Sequence, residues 1–228
     1  MLSDSGKKGC CIDIAILIDA TENMALIINE VKANAMDLCA KFQETMKQEM
    51  AWRIDEFRVK VIPFRDYAYD GAQAMNDSGF FFLPEQNAAF RSYMDSIVAK
   101  GGGDGTASAL EAMALAMRSD WTTKGDRRRH IILVFTNSSA VPLKEASRTK
   151  NPYYPDNMPT DLNELYDMWS KEMPEKRSKR LAFFAPKVEP WCDDMEKWEM
   201  IWPEFSNGGS GLDEAELQMV TMVLSANV

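Results

Sequence analysis

The apolar positions along this chain keep two different rhythms. Residues 11–18 form a short, nearly unbroken apolar run rich in isoleucine, the pattern of a strand buried on both faces. From Met24 to about Met50 the apolar residues fall instead at Met24, Ile27, Ile28, Val31, Ala35, Leu38, Cys39, Phe42 and Met46, which is one face of a long helix. At 57–64, Phe57, Val59 and Val61 alternate with Arg58 and Lys60, a second strand, and Pro63 near its end marks an edge or an exit. Residues 80–83 suit a short third strand. A helix is predicted over 87–100, with Phe90, Tyr93, Met94, Ile97 and Val98 inward, until Gly101-Gly102-Gly103-Asp104-Gly105 breaks it. The next helix, about 107–118, is capped by Asp104 or Thr106 and buries Leu110, Met113, Ala114 and Met117.

The second half continues the alternation. Residues 130–136 read as a central strand, 161–171 as a helix and 181–185 as a strand. Residues 195–202 are weakly helical, and a glycine-rich turn at 207–211 leads to a last helix over 213–225. The segment 137–160 is long and rich in Pro and Asn, and a loop of that length inside a domain is usually functional. Strands alternating with helices predict an α/β fold, doubly wound, with a mostly parallel central sheet flanked by helices. No linker, repeat or low-complexity stretch divides the chain, so residues 1–10 are expected to be a lead and 11–228 a single domain.

Composition narrows the function classes. The chain has 228 residues, 46% hydrophobic and 27% charged, the range of a folded globular protein. Its longest apolar run is far short of the ~20 residues a membrane span needs, and no leader-type segment with a small-residue cleavage site precedes the first strand. The expectation is a cytoplasmic protein that does not contact membrane. A formal charge of −9 argues against nucleic acid as a partner. The one basic cluster, Arg127-Arg128-Arg129, is expected in a solvated loop before a strand. Cys10, Cys11, Cys39 and Cys192 have no C-x-x-C spacing, so zinc is not expected and the thiols should be reduced. Cys39 falls on the apolar helix face.

Candidate chemistry gathers where strands end. Asp19 closes the first apolar run, and Thr21 and Asn23 follow at every second position. Ligands of open α/β sheets bind at the carboxyl ends of strands, and groups that offer only oxygen suit a hard cation. Taken alone, Asp19 could equally cap the first helix. Two further loops fall at the same edge: Gly101-Gly102-Gly103-Asp104-Gly105-Thr106, and Thr136-Asn137-Ser138-Ser139. The sole histidine, His130, is expected to be structural, since no G-x-S-x-G elbow supplies a nucleophile. The glycine-rich loops match neither phosphate-binding pattern. Trp191, Trp198 and Trp202 should pack over the sheet rather than anchor a partner.

In their order and placement these loops resemble the von Willebrand factor type A (vWA) domain family, whose fold is Rossmann-like. The resemblance rests on Asp19-Ala20-Thr21-Glu22-Asn23, on Ile62-Pro63-Phe64-Arg65-Asp66-Tyr67, on the triple-glycine loop and on Thr136-Asn137, and it covers nearly the whole chain. It implies a metal-ion-dependent adhesion site (MIDAS) for Mg²⁺ or Mn²⁺ built from Asp19, Thr21, Asn23, Asp104, Thr106 and Asn137, with the sequence not choosing between Asp104 and Thr106. Asn23 stands where the family usually has Ser, and Asn137 where it usually has Asp. The expected cation is therefore held weakly, or only when a partner's carboxylate completes the site. The implied function is a non-enzymatic, metal-dependent protein–protein interaction module in an intracellular, prokaryotic multi-protein system, beside a kinase, phosphatase or ATPase. The alternatives are a scaffold that has lost its metal and a metal-dependent hydrolase or phosphotransfer protein, for which Glu22 and Asp66 are the available bases.

Overall fold

Strand β1 (Gly9–Asp19) lies between two neighbours, and all of its residues are buried. That placement explains its unbroken apolar character, since neither face of a central strand meets water. It runs parallel to β2 (Arg53–Phe64) on one side and to β5 (Arg127–Phe135) on the other. Beyond β2 lies the short antiparallel β3 (Phe80–Phe82). Beyond β5 lie β7 (Lys179–Ala185) and β8 (Ile201–Phe205), both parallel, giving the order β3-β2-β1-β5-β7-β8. This computed structural model describes residues 9–48, 53–145, 149–174 and 176–226.

Helices cover both faces. Alternate residues of β1 (Ile12, Ile14, Ile16 and Ile18) pack under α1 (Ile28–Gln48), α2 (Asn87–Ser96) and α5 (Glu214–Ser225). Ala15 and Leu17 face the opposite layer, where α3 (Ala109–Met117) and α4 (Leu162–Asp167) lie. The expected α/β sheet, mostly parallel and flanked by helices, is therefore the one observed. A second parallel pair, β4 (Thr106–Ala107) with β6 (Ser139–Ala140), ties the glycine-rich loop to the segment after β5.

Several elements depart from the pattern-based reading. The helix expected from Met24 begins at Ile28, because Glu22–Met24 is a separate 3-10 turn; its expected end at Met50 lies outside the described residues. Helix α2 stops at Ser96, and Ile97 turns to extended backbone with φ −71° and ψ 119°. The arginine cluster does not form a loop: β5 starts at Arg127, which pairs with Cys10, and Arg129 is 4% exposed. The helix expected at 195–202 is a 3-10 turn, Met195–Lys197, followed by edge strand β8. All of β8 is half-buried, so it shows no alternation, and Pro203 would break a helix. Met200 O accepts from Leu181 N and Ser206 N donates to Ala185 O, which turns Pro203 outward, where a missing N–H blunts an open edge.

Helix α3 is buried on more than the expected stripe, Ala112, Ala116 and even Glu111 included. The segment 149–160 covers the helix at Glu111. Tyr154 OH donates to Glu111 Oε1 at 3.0 Å, the Tyr154 ring meets Tyr67 edge-on at 5.2 Å, and Asn151 Nδ2 donates to Tyr67 O. Much of the long loop is thus part of the packing, and its removal would strip a buried carboxylate of a partner. Trp191 is fully buried and donates to Ser138 O at 2.9 Å, while Trp198 packs on Tyr166, as the packing reading expected. No described helix is long and apolar enough to cross a membrane.

Candidate metal centre

Sheet topology brings the three loops together. β1 ends at Asp19, and the turn after it is pinned on both sides: Ala20 N donates to Phe64 O at 2.8 Å, and Glu22 N to Gly101 O at 3.0 Å. The β4–β6 pair draws Thr106 toward the segment after β5. Asp70 braces the glycine-rich loop from the side, accepting from Gly102 N at 2.8 Å and Asp66 N at 3.1 Å. Gly101 has φ +73°, and a Cβ there would fall 1.8 Å from Asp70 Oδ1, so the loop closes against this carboxylate only with glycine. The sequence offered no signal for Asp70, which acts through the loop backbone.

Asp19 is completely buried. Its Oδ1 accepts from Thr21 N at 2.9 Å and Thr21 Oγ1 at 2.7 Å, and its Oδ2 accepts from Thr136 Oγ1 at 2.7 Å. Burial pushes its carboxyl above the usual range, and the hydrogen bonds from Thr136, Thr21 and Ser138 only partly offset this. Every one of these donors is neutral; among the described residues no Lys, Arg or His pairs with it. It does not cap the first helix, which starts nine residues later. Thr136 and Ser138 were not singled out in the sequence, although both lie in the loop that was.

A crevice of about 160 Å³ opens beside Thr21, which bonds this carboxylate. It is lined by Thr21, Asn23, Gly101, Gly102, Gly105 and Thr106, with Glu22 at its rim. Gly102, at φ +74°, lets the loop approach Thr21: a Cβ would sit 3.0 Å from the Thr21 Cβ. Three of the six expected ligands therefore face one space, and Asp19 lies behind Thr21. Asp104 is exposed and turned back, accepting from Thr106 N at 3.0 Å and Thr106 Oγ1 at 2.5 Å. Between the two candidates of that loop, Thr106 lines the crevice. Asn137 Nδ2 donates to Asn23 O at 2.9 Å, and its Oδ1 accepts from Ser138 Oγ at 3.3 Å, so its amide ties two loops together.

The oxygen atoms gathered here match the chemistry of a small hard cation, and the cation-free surroundings of Asp19 leave its charge to be balanced. Of the bases considered for hydrolysis, Glu22 is exposed at the rim, and Asp66 is buried and accepts from Ala68 N at 2.7 Å. His130 is fully buried, lies 3.0 Å from Thr122 O and 5.3 Å from the Trp121 ring, and is held toward its neutral form mainly by burial. It lies at the other end of the sheet, paired in register with Asp13. Cys10, Cys11 and Cys39 are free and buried, and burial raises Cys10 and Cys39 to about 12, so neither is a nucleophile at neutral pH. A further set, Glu189, Cys192 and Asp193, clusters after β7 and was not foreseen.

By sequence, no family model and no curated protein matches the chain. By structure it is similar to the pilus adhesin SpaC of Lactobacillus rhamnosus GG, with a TM-score of 0.51 and 12% identity over 95% of this chain and 30% of the adhesin. An open conformation of the same adhesin gives a TM-score of 0.46 at 10% identity, over 97% of this chain and 28% of that one. The chain thus spans less than a third of the adhesin's length. At this identity the likeness bears on the α/β fold alone.

Proposed function

We propose that the chain is a non-enzymatic interaction module of the vWA kind, in which a divalent cation at the carboxyl edge of the sheet recruits an acidic side chain of a protein partner. The observation that carries this reading is the Asp19 carboxylate: wholly buried, held by three hydrogen bonds, and without any cationic partner among the described residues. A carboxylate in that state is costly unless something positive reaches it. The crevice beside it offers Thr21, Asn23 and Thr106 as further oxygen ligands, and Mg²⁺ or Mn²⁺ matches that set. Asp104 and Asn137 complete the candidate ligands, acting directly or through water. The mostly parallel sheet flanked by helices is in line with the fold that the vWA resemblance implies. The pilus protein with a similar fold is an adhesin, which agrees with a binding role and does not specify a partner. The setting we favour is an intracellular, prokaryotic multi-protein system.

One observation favours a second reading, a scaffold that works without metal. The Asn137 amide spans to Asn23 O and so closes the loops without any ion. Calorimetric titration of Mg²⁺ and Mn²⁺ into the free chain and into Asp19→Ala separates the two. Weak binding by the parent and none by the variant is expected. Equal behaviour of both would leave the metal-free scaffold standing, and tight binding by the parent alone would remove the need for a partner's carboxylate.

A further inference from the structure

A second concavity, of about 650 Å³, adjoins the crevice and shares Thr106 with it. Leu110, Leu143 and Pro190 form its buried floor, and Leu162 its half-buried wall. It is closed on one side by the stitch between β6 and the segment after β7, where Ser139 Oγ donates to Glu189 O at 2.5 Å. Its exposed charged lining is acidic only: Asp161, Glu189 and Asp194, with no Lys or Arg among the residues that line it. Asp193 lies beside Glu189, so the rim collects like charge. Burial and then these two aspartates push the Glu189 carboxyl upward.

The surroundings carry a second, independent observation. Most of the large apolar side chains left exposed on the described residues stand on loops at this same edge: Leu26 after β1, Tyr69 after β2, Val98 before the triple glycine, Tyr153 after β5 and Val188 after β7. Leu26 is 99% exposed and two residues beyond the crevice-forming 3-10 turn. These side chains leave apolar surface on the loops of the edge that holds the groove.

We propose that this groove seats an extended segment of the protein partner, with an apolar side chain in the floor and an adjacent Lys or Arg against Asp161, Glu189 and Asp194. The apolar floor and the acidic rim select that pair of side chains together. The proposal deepens the reading above: the partner's carboxylate would meet the cation, and its apolar–basic pair would lie one groove further, past Thr106. A nucleic acid or an anionic membrane is disfavoured by the same rim.

The test is panning a displayed library of random dodecapeptides on the full chain, in Mg²⁺ and in chelator. Enriched sequences should carry an apolar residue next to Lys or Arg. Their affinity should fall at least tenfold on the double variant Glu189→Lys/Asp194→Lys, whose sites are exposed and whose folding is checked by thermal melting. Repanning on that variant should replace the basic residue by an acidic one. Calorimetric Mg²⁺ binding should be the same for both proteins, and equal Mg²⁺ binding by the parent and Asp19→Ala with peptide capture retained would fail the cation reading and keep the groove. Enrichment without basic residues, or peptides insensitive to the charge reversal, overturns the groove proposal and leaves the cation reading intact. No enrichment also overturns it, as does a dimer of the parent, seen by sedimentation, that the double variant abolishes.

Discussion

Two aspartates on β1 point to the same face six residues apart, both completely buried, and they are handled in opposite ways. Asp13, near the amino end of the sheet, is fully matched. Arg58 Nε donates to its Oδ1 at 2.8 Å and Arg58 Nη2 to its Oδ2 at 2.7 Å, a bidentate pair, and Thr122 N adds a third bond at 2.6 Å. Phe80 covers the guanidinium, its ring centroid 4.4 Å from Cζ. Asp19, at the carboxyl end, is given hydroxyls and a backbone N–H but no cation. The fold therefore builds one aspartate as an internal ion pair and leaves the other behind Thr21, which lines a crevice. Burial by itself does not distinguish a structural carboxylate from a functional one; the presence of a matched cation does.

The largest effect is expected at the matched end. Asp13→Ala would leave the Arg58 guanidinium buried with only the longer Glu56 ion pair at 3.6 Å, a loss of about 3 kcal/mol, the lower end for broken buried pairs. Urea unfolding would read it as a lower midpoint. Mg²⁺ affinity of whatever remains folded should not change. A variant that loses metal binding while the fold persists would break the contrast, since Asp13 would then serve both ends.

At the other end the sign reverses. Asp19→Asn keeps the shape of the side chain and removes a buried charge, so the metal-free protein should melt higher at neutral pH. A gain of about 1 kcal/mol corresponds to roughly 2–4 °C in a chain of this size. The same variant should lose its Mg²⁺-induced stabilisation, which for the parent at a hundredfold excess over Kd is about 2.7 kcal/mol. A variant that melts lower and still responds to Mg²⁺ would show that Asp19 is a structural residue like Asp13.

How much of this was legible in the sequence depended on what each residue answers to. β1 was read correctly because it is buried on both faces and nothing competes with its apolar run. Edge strand β8 was missed because a half-buried strand with an outward Pro203 has neither alternation nor continuity. Asp19, Thr21, Asn23 and Thr106 could be singled out as candidates because their spacing along one turn or one loop is local information. Thr136 could have been found, since it directly follows the strand beside β1; Asp70 could not, because it acts on loop backbone 32 residues away. Arg58 and Lys60 kept the strand rhythm, yet both are buried, a fact set by Asp13 and Phe80 rather than by the pattern.

The pH dependence follows from the raised Asp19 carboxyl. In the free fold it holds its proton above its ordinary value of 3.8, whereas in the unfolded chain it does not. Between those two values the folded state binds more protons, so Asp19 favours folding at low pH and that contribution is lost as pH rises through the folded value. A bound cation competes with the same proton, so Mg²⁺ stabilisation should appear as pH rises through the raised value and vanish below it. Melting curves with and without Mg²⁺, taken over a pH series that starts below the ordinary carboxylate value, would read both slopes. In Asp19→Asn both slopes should flatten, and a parent curve that already lacks them would place the charge balance elsewhere.

The smallest and sharpest step concerns Asn137. Asn137→Asp would replace the bond from Nδ2 to Asn23 O by a repulsion between oxygens, and add a carboxylate to the loop whose Thr136 bonds Asp19. Without metal this should cost about 1 kcal/mol, the net worth of one such hydrogen bond. With metal, the added anionic ligand should tighten binding. The variant should therefore melt below the parent in chelator and gain more than the parent does on adding Mg²⁺, so that the two differences have opposite signs. If it is weaker in both conditions, the Asn137 tie to Asn23 is what the loops need, and the crevice is held closed by amides instead of by an ion. If it gains only with Mg²⁺, the carboxyl end of β1 differs from the amino end by one missing cation, and Asn137 is the residue that keeps the affinity for it low.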